Sequence, residues 1–429
     1  MIQSKCCAIP DFSRRYSLDI LIEELDGSIW VAAVKDGRIE GLEVDPVREE
    51  VRWGSVFWAK VARIDKALDA AFVNLDGNNI GILYNADVCI RDKKTGRYKM
   101  GGDVAIGKVL EPGQMVAVQA KSGYLPKSDE THARAEDKNP RLSMNIVLPG
   151  RYILYAPMEG ENRISRRIVD KKLRKQLMTM LEKISGEYKG CILRSAAAGT
   201  QTDILIREAK ILKMTWDKLQ EYFKGDDPTL IMLGPDAVQR MLGDQANQNV
   251  ERIDLTTMDH YQAVEEWCEI YAPDLVVRIQ PVELPDQNAD LGLFAMRDIL
   301  NQIEGLFHPY VVLPGGGTLI IEQTAALTAI DVNSGADKRA PSAINLEAAR
   351  EIARQIRLRN LGGMILIDFL KLKDEAARKQ LQKELGGLFE EKDSCTVQIH
   401  GFTRLGLLEV TRSRRTPPLQ ERFESVFSE

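Results

Sequence analysis

Short apolar-rich runs open the chain at Leu18–Leu25, Ile29–Val34 and Ile39–Val44, separated by Asp26-Gly27 and Asp36-Gly37. Asp-Gly between such runs is a strong hairpin signal, because both central positions of the tight turn need positive φ. Residues 1–50 are therefore predicted to be a β-meander. A second group of short runs, Val56–Ile64, Ala70–Leu75, Ile80–Tyr84 and Met115–Ala120, is punctuated by Asp76-Gly77-Asn78-Asn79 and Pro112-Gly113. Its spacing predicts an OB-type barrel over Val51–Gln119, a fold that often binds single strands. The polar stretch Lys121–Asn139 lacks periodicity and reads as a loop.

Helical spacing appears next. Leu173, Leu177, Leu181 and Ile184 share a face behind a capping Asp170, and Leu212, Trp216, Leu219 and Phe223 share another within a helix expected over 208–223. The strand-like run GCILRSA (190–196) lies between them. Gly225-Asp226-Asp227-Pro228 marks a boundary. Beyond it, strands are expected near 229–233, 251–255 and 274–279, alternating with helices near 235–242 and 258–268. From residue 306 another α/β unit is expected. It has a hairpin of Thr318–Gln323 and Leu327–Val332, a helix over 346–361 stopped by Gly362-Gly363, and a strand Met364–Phe369.

At 429 residues the chain has room for two to four domains. Hydrophobic content of 44% and charged content of 28% fit a globular protein rather than a disordered one. The net charge of −5 excludes a uniformly basic nucleic-acid binder, but the charge is uneven. Residues 338–417 hold 16 basic and 10 acidic side chains, net +6, and residues 1–337 hold 41 and 50, net −9. That asymmetry points to a basic surface near the C-terminus. Six cysteines at 6, 7, 89, 191, 268 and 395 form no C-x-x-C pair, which argues against a locally built zinc site or a disulfide framework. The N-terminus lacks the apolar run of a signal peptide, and no stretch approaches 18 apolar residues, so a cytoplasmic protein without a membrane span is expected.

The sharpest chemical feature is a pair of carboxylates, each at the end of an apolar run: Asp331 in LTAIDVN and Asp368 in MILIDF. A carboxylate in an apolar strand is costly unless it is hydrogen-bonded, paired or metal-bound. Two from neighbouring strands could share one Mg²⁺, with Asn333 on the same face as Asp331. Alternatively, the two aspartates cap nearby loops. Between them, Arg350, Arg354 and Arg357 recur at helical spacing, opposite Leu346, Ala349, Ala353 and Ile356. This stripe could grip phosphates, or it could be a solvated face paired with Glu347 and Glu351. Arg404 adds positive charge further on. The four histidines show no metal-ligand spacing, and Gly315–Gly317 is not a P-loop, because no Gly-Lys-Ser/Thr follows.

The runs IEQTAALTAIDVNSG (321–335), INLEAAREIARQIRLRNLGGMILIDF (344–369) and GFTRLGLLEVTRSR (401–414), in this order, resemble the ribonuclease E/G family. Weaker similarity extends through GSVFWAKVARIDKALDAAFVNL (54–75), LPGRYIL (148–154), ISRRI (164–168) and CILRSA (191–196). The resemblance implies an α/β multidomain protein. It would have an RNase H-like domain split between residues 1–50 and 229–305, an inserted OB-type RNA-binding barrel (51–147) and a 5′ sensor domain (148–228). A DNase I-like catalytic domain (306–417) and a tail (418–429) would follow. The implied activity is Mg²⁺-dependent endonucleolytic cleavage of single-stranded RNA in RNA processing or decay. One Mg²⁺ would sit on Asp331 and Asp368, with Asn333 beside them. A 5′-monophosphate pocket would use Arg194, Ser195, Gly150 and Leu154, and RNA would be contacted by Phe72, Lys138, Arg350, Arg354, Arg357 and Arg404.

Departures from the family pattern are Ser195 for threonine, Ile82 for an aromatic residue, Ala325 for glutamate and Lys371 for aspartate. The last two remove negative charge near the proposed metal, and they raise the alternative of an RNA-binding protein with a weakened metal site. Residues 416–429 contain no cysteine, so the family's paired-cysteine zinc link is not expected, and a monomer or a zinc-independent homodimer is.

Overall fold

The computed structural model describes residues 17–423 apart from 48, 92–97, 124–138, 167, 169 and 285–291. The expected meander forms the strands Leu18–Leu25, Ser28–Lys35 and Arg38–Asp45, paired antiparallel. Asp26-Gly27 and Asp36-Gly37 adopt positive φ (49° and 72°, 51° and 74°), as the hairpin signal requires. The first strand also pairs in parallel with Val250–Leu255, which pairs in parallel with Ile279–Pro281. One five-stranded sheet is thus completed by strands more than 200 residues away in sequence. The segment expected as a strand over 274–279 instead begins as a helical turn, Pro273–Val276, with Pro273 at its first position, where proline's fixed φ suits a helix start.

The intervening chain makes two further bodies. Val56–Asp65, Ala70–Asn74, Ile80–Tyr84, Arg141–Ser143 and Met115–Ala120 close into a barrel through pairing of the first strand with the last. Thr229–Met232 adds to the outside of Val56–Asp65. A four-stranded sheet follows, in the order Leu148–Pro149, Ile153–Tyr155, Cys191–Leu193, Arg163–Ile164. It packs under the helices Lys171–Ile184 and Thr202–Gln220. The second helix starts six residues before the expected position, because Leu205 and Ala209 continue the buried face of Leu212, Trp216 and Leu219.

Residues 310–412 build a six-stranded sheet in the order Tyr310–Val312, Thr318–Gln323, Thr328–Asn333, Gly363–Asp368, Leu408–Arg412, Val397–Phe402. The helices Pro341–Leu358 and Glu375–Lys392 bury its inner side chains, among them Ile330, Val332, Ile365 and Ile367. The first of these helices begins at Pro341, five residues before the expected start, and ends where Asn360 adopts a positive φ of 50°. Its other side packs on the strand Arg38–Asp45, so the helix lies between two sheets. Among the described residues no helix is long and apolar enough to cross a membrane.

Candidate active site

Along Thr328–Asn333 burial alternates, with Ile330 and Val332 packed inward and Asp331 and Asn333 exposed. Gly363–Asp368 behaves likewise, ending on an exposed Asp368. The two strands run parallel, and Asp331 and Asp368 are register partners. Two carboxylates therefore stand side by side at the C-terminal ends of adjacent strands, where α/β sheets place ligands. Their backbones are about 4.8 Å apart, the usual interstrand spacing. Sequence reading placed these aspartates in apolar surroundings. They stand instead on the open face of the sheet, because the two-residue period turns them away from the helices. Asn333 Nδ2 donates to Asp331 Oδ2 at 2.8 Å and fixes the rotation of that carboxylate.

Beside Asp368 lies a cleft of about 340 Å³ lined by Lys371, Arg378, Phe402, Arg404 and Leu405. Arg404 and Leu405 sit in the turn joining the last two strands, and Leu405 is 90% exposed. Arg378 is held by a 3.1 Å bond from its Nε to the Leu372 carbonyl. The wall next to the carboxylates is thus cationic and partly apolar, a surface suited to a nucleotide. Among the described residues no three His, Cys, Asp or Glu side chains group to hold a metal, so two carboxylates are what the site offers. That donor set fits Mg²⁺, which keeps several waters and commonly binds through one or two carboxylates plus substrate phosphate.

The arginine stripe is divided by the fold. Arg350 is exposed. Arg354 is buried against the first sheet, donating from Nε to the Ile39 carbonyl at 2.8 Å and from Nη1 to Glu351 at 2.7 Å. Arg357 is half-buried, reaching the Ala353 carbonyl at 3.2 Å and the Glu40 carboxylate at 3.7 Å. Arg354 and Arg357 thus tie the helix to the first sheet instead of presenting an open phosphate-gripping face, an outcome that helix periodicity alone could not reveal.

The residues implied for a 5′-phosphate pocket lie around the four-stranded sheet. Arg194 follows the strand Cys191–Leu193 and donates from Nη1 to the Gly150 carbonyl at 3.2 Å. Ser195, next along, is exposed, and Leu154 is paired across from Ile192. The loop at Gly150 is held by Glu208, whose carboxylate accepts from the backbone N–H groups of Arg151 and Tyr152. Burial pushes the Glu208 carboxyl up to about 7, against the pull of those N–H groups. A Cβ at position 150 would lie 2.5 Å from Glu208 Oε1, so only glycine fits.

On the barrel, Arg63, Phe72, Ile82 and Arg141 form one cross-strand row. The Arg63 guanidinium lies 3.6 Å from the Phe72 ring centre, and Arg141 lies 5.2 Å from that of Tyr84. Arg63, Tyr84 and Arg141 were not singled out from the sequence; the two arginines share the cross-strand row of Phe72, and Tyr84 lies two residues beyond Ile82 on the same strand. Lys138 lies outside the described residues.

The profile of the Ribonuclease E/G family matches residues 147–415. The chain is 28% identical over 408 residues to ribonuclease G of Salmonella typhimurium, covering 92% of this chain and 80% of that protein. The figures are the same for ribonuclease G of Escherichia coli strain K12. It is 31% identical over 405 residues to ribonuclease E of Nostoc sp., covering 92% of this chain and 56% of that protein. The paired aspartates, their asparagine and the sheet that carries them lie within a protein that belongs to the ribonuclease E/G family.

Proposed function

We propose that this protein is an endoribonuclease that cuts single-stranded RNA by Mg²⁺-dependent hydrolysis in cytoplasmic RNA processing or decay. The observation that carries the proposal is the side-by-side register of Asp331 and Asp368 at the ends of parallel strands. Asp331 and Asp368 would hold one Mg²⁺, and Asn333 would keep the Asp331 carboxylate turned toward it. When bound, the metal supplies an activated water and stabilises charge on the scissile phosphate. Arg404 and Lys371 bind flanking phosphates, and Leu405 and Phe402 offer apolar contact to a base. Attack at phosphorus releases the 3′-oxygen, leaving 5′-phosphate and 3′-hydroxyl ends.

Arg194, Ser195, Gly150 and Leu154 would receive a 5′-monophosphate, and the barrel row around Phe72 would guide the strand. The five-stranded sheet with antiparallel Leu18–Leu25, Ser28–Lys35 and Arg38–Asp45 supports an RNase H-like reading of that unit. The helix-covered six-stranded sheet supports a DNase I-like reading of the catalytic one. Assembly would be as a monomer or a homodimer. The test is incubation of the purified protein with a 5′-monophosphorylated single-stranded RNA, with and without Mg²⁺. Internal cuts that require the metal support the proposal. RNA binding without cleavage under all metal conditions would make the protein a binding member of the family instead.

A further inference from the structure

Arg194 meets Asp244, the last residue of the helix Ala237–Asp244, where its Nη2 lies 3.3 Å from Oδ1. Asp244 is shared. Arg415 donates from Nη1 to Oδ1 at 3.2 Å and from Nη2 to Oδ2 in a closer bond. Arg415 is itself anchored by Glu43 at 3.0 Å and by the Ser394 hydroxyl at 2.9 Å. One carboxylate is therefore neutralised from two sides, by an arginine of the four-stranded sheet and by an arginine just past the last strand of the catalytic sheet.

The two contacts are unequal. Arg415 engages both carboxylate oxygens in the fork geometry that makes such pairs strong, whereas Arg194 makes one long contact. Burial pushes the Asp244 carboxyl up, but Arg415 and then Arg194 outweigh it and hold it below the usual range. If Arg194 turned away, Asp244 would still have its stronger partner.

We infer that Arg415 is a positioning residue for 5′-end recognition: by satisfying Asp244, it leaves the outer nitrogen of Arg194 exchangeable between that carboxylate and an incoming 5′-phosphate. The inference rests on the proposed role of Arg194. Without Arg415, Asp244 would lean on Arg194. This would hold the guanidinium back and set an under-compensated carboxylate beside a phosphate of the same sign. Both effects weaken 5′-phosphate recognition.

The test compares kcat/KM for 5′-monophosphate and 5′-hydroxyl RNA in wild type, Arg194→Ala, Arg415→Gln, Asp244→Asn and the Arg415→Gln/Asp244→Asn double variant. Arg415→Gln should cut the 5′-phosphate preference about tenfold, the scale of one charge-assisted contact, with the change in the KM of the phosphorylated substrate. Removing the carboxylate as well should restore the preference, which general structural damage would not do. Asp244→Asn alone should keep the preference at or above wild type, and this arm stands even if Arg415→Gln folds poorly. A wild type without preference, or Arg194→Ala retaining it, would refute the 5′-phosphate reading itself. With those two controls behaving, an unchanged ratio in Arg415→Gln, no recovery in the double variant, or a lost preference in Asp244→Asn would overturn the inference.

Discussion

Glu208 sits beneath the loop proposed to receive the RNA 5′ end, 4% exposed, on the helix Thr202–Gln220. Burial raises its carboxyl from 4.5 to about 7, more than the N–H groups of Tyr152 and Arg151 and the charge of Arg194 lower it. The unfolded chain would release this proton near pH 4.5, the folded chain near 7. Between those values the folded state holds one more proton than the unfolded state, so stability falls as pH rises and levels off above about 7. At 1.36 kcal/mol per pH unit, the shift is worth about 3 kcal/mol across the window. Glu208→Gln keeps an acceptor for the two N–H groups and removes the titration. The assay is hydrogen exchange of peptides from residues 147–228 at pH 5 to 8, corrected for intrinsic exchange, in both proteins. The wild-type opening free energy should fall by a few kcal/mol across the range relative to the variant, whose profile should lack this component. Matching slopes in the two proteins would refute the reasoning, and so would wild-type stability rising with pH relative to the variant.

Arg354→Met removes one of the two cations paired with buried Glu351, leaving Arg38, and should cost about 2–4 kcal/mol in thermal or denaturant unfolding. Arg350→Ala, on the exposed turn of the same helix, should leave stability unchanged and weaken RNA binding, most clearly at low salt. Phe72→Ala should weaken single-stranded RNA binding by about 1–3 kcal/mol through lost stacking in fluorescence titrations. Arg63→Ala should lower the salt slope by about 0.7 if that side chain meets a phosphate. Lys371→Asp restores negative charge beside Asp368, so half-maximal cleavage should need less Mg²⁺, whereas an unchanged metal titration would place Lys371 outside the metal's field.

Local signals showed much of this architecture. The Asp-Gly turns placed the meander, and Asp331 and Asp368 were visible because each ends an apolar run. Their shared register was not visible, since the pairing of Thr328–Asn333 with Gly363–Asp368 is settled by packing across an intervening helix. The same limit explains Arg354. Helix periodicity marks it as polar, but it faces the strand Arg38–Asp45 more than 300 residues earlier, where the Ile39 carbonyl and Glu351 satisfy its charge. Thr229–Met232 shows it again, since the strand was expected but its pairing with the barrel joins distant segments. The junction of Asp244 with Arg194 and Arg415 draws on three separate regions and carries no motif.

The central claim is that Asp331 and Asp368 act together on one metal. Its most direct test is single-turnover cleavage of a 5′-monophosphorylated RNA by Asp331→Asn and Asp368→Asn, with binding measured in parallel. The account predicts that each substitution slows cleavage about a thousandfold or more, equivalent to about 4 kcal/mol, while RNA affinity stays close to wild type. Cleavage at near wild-type rate by either variant would contradict it.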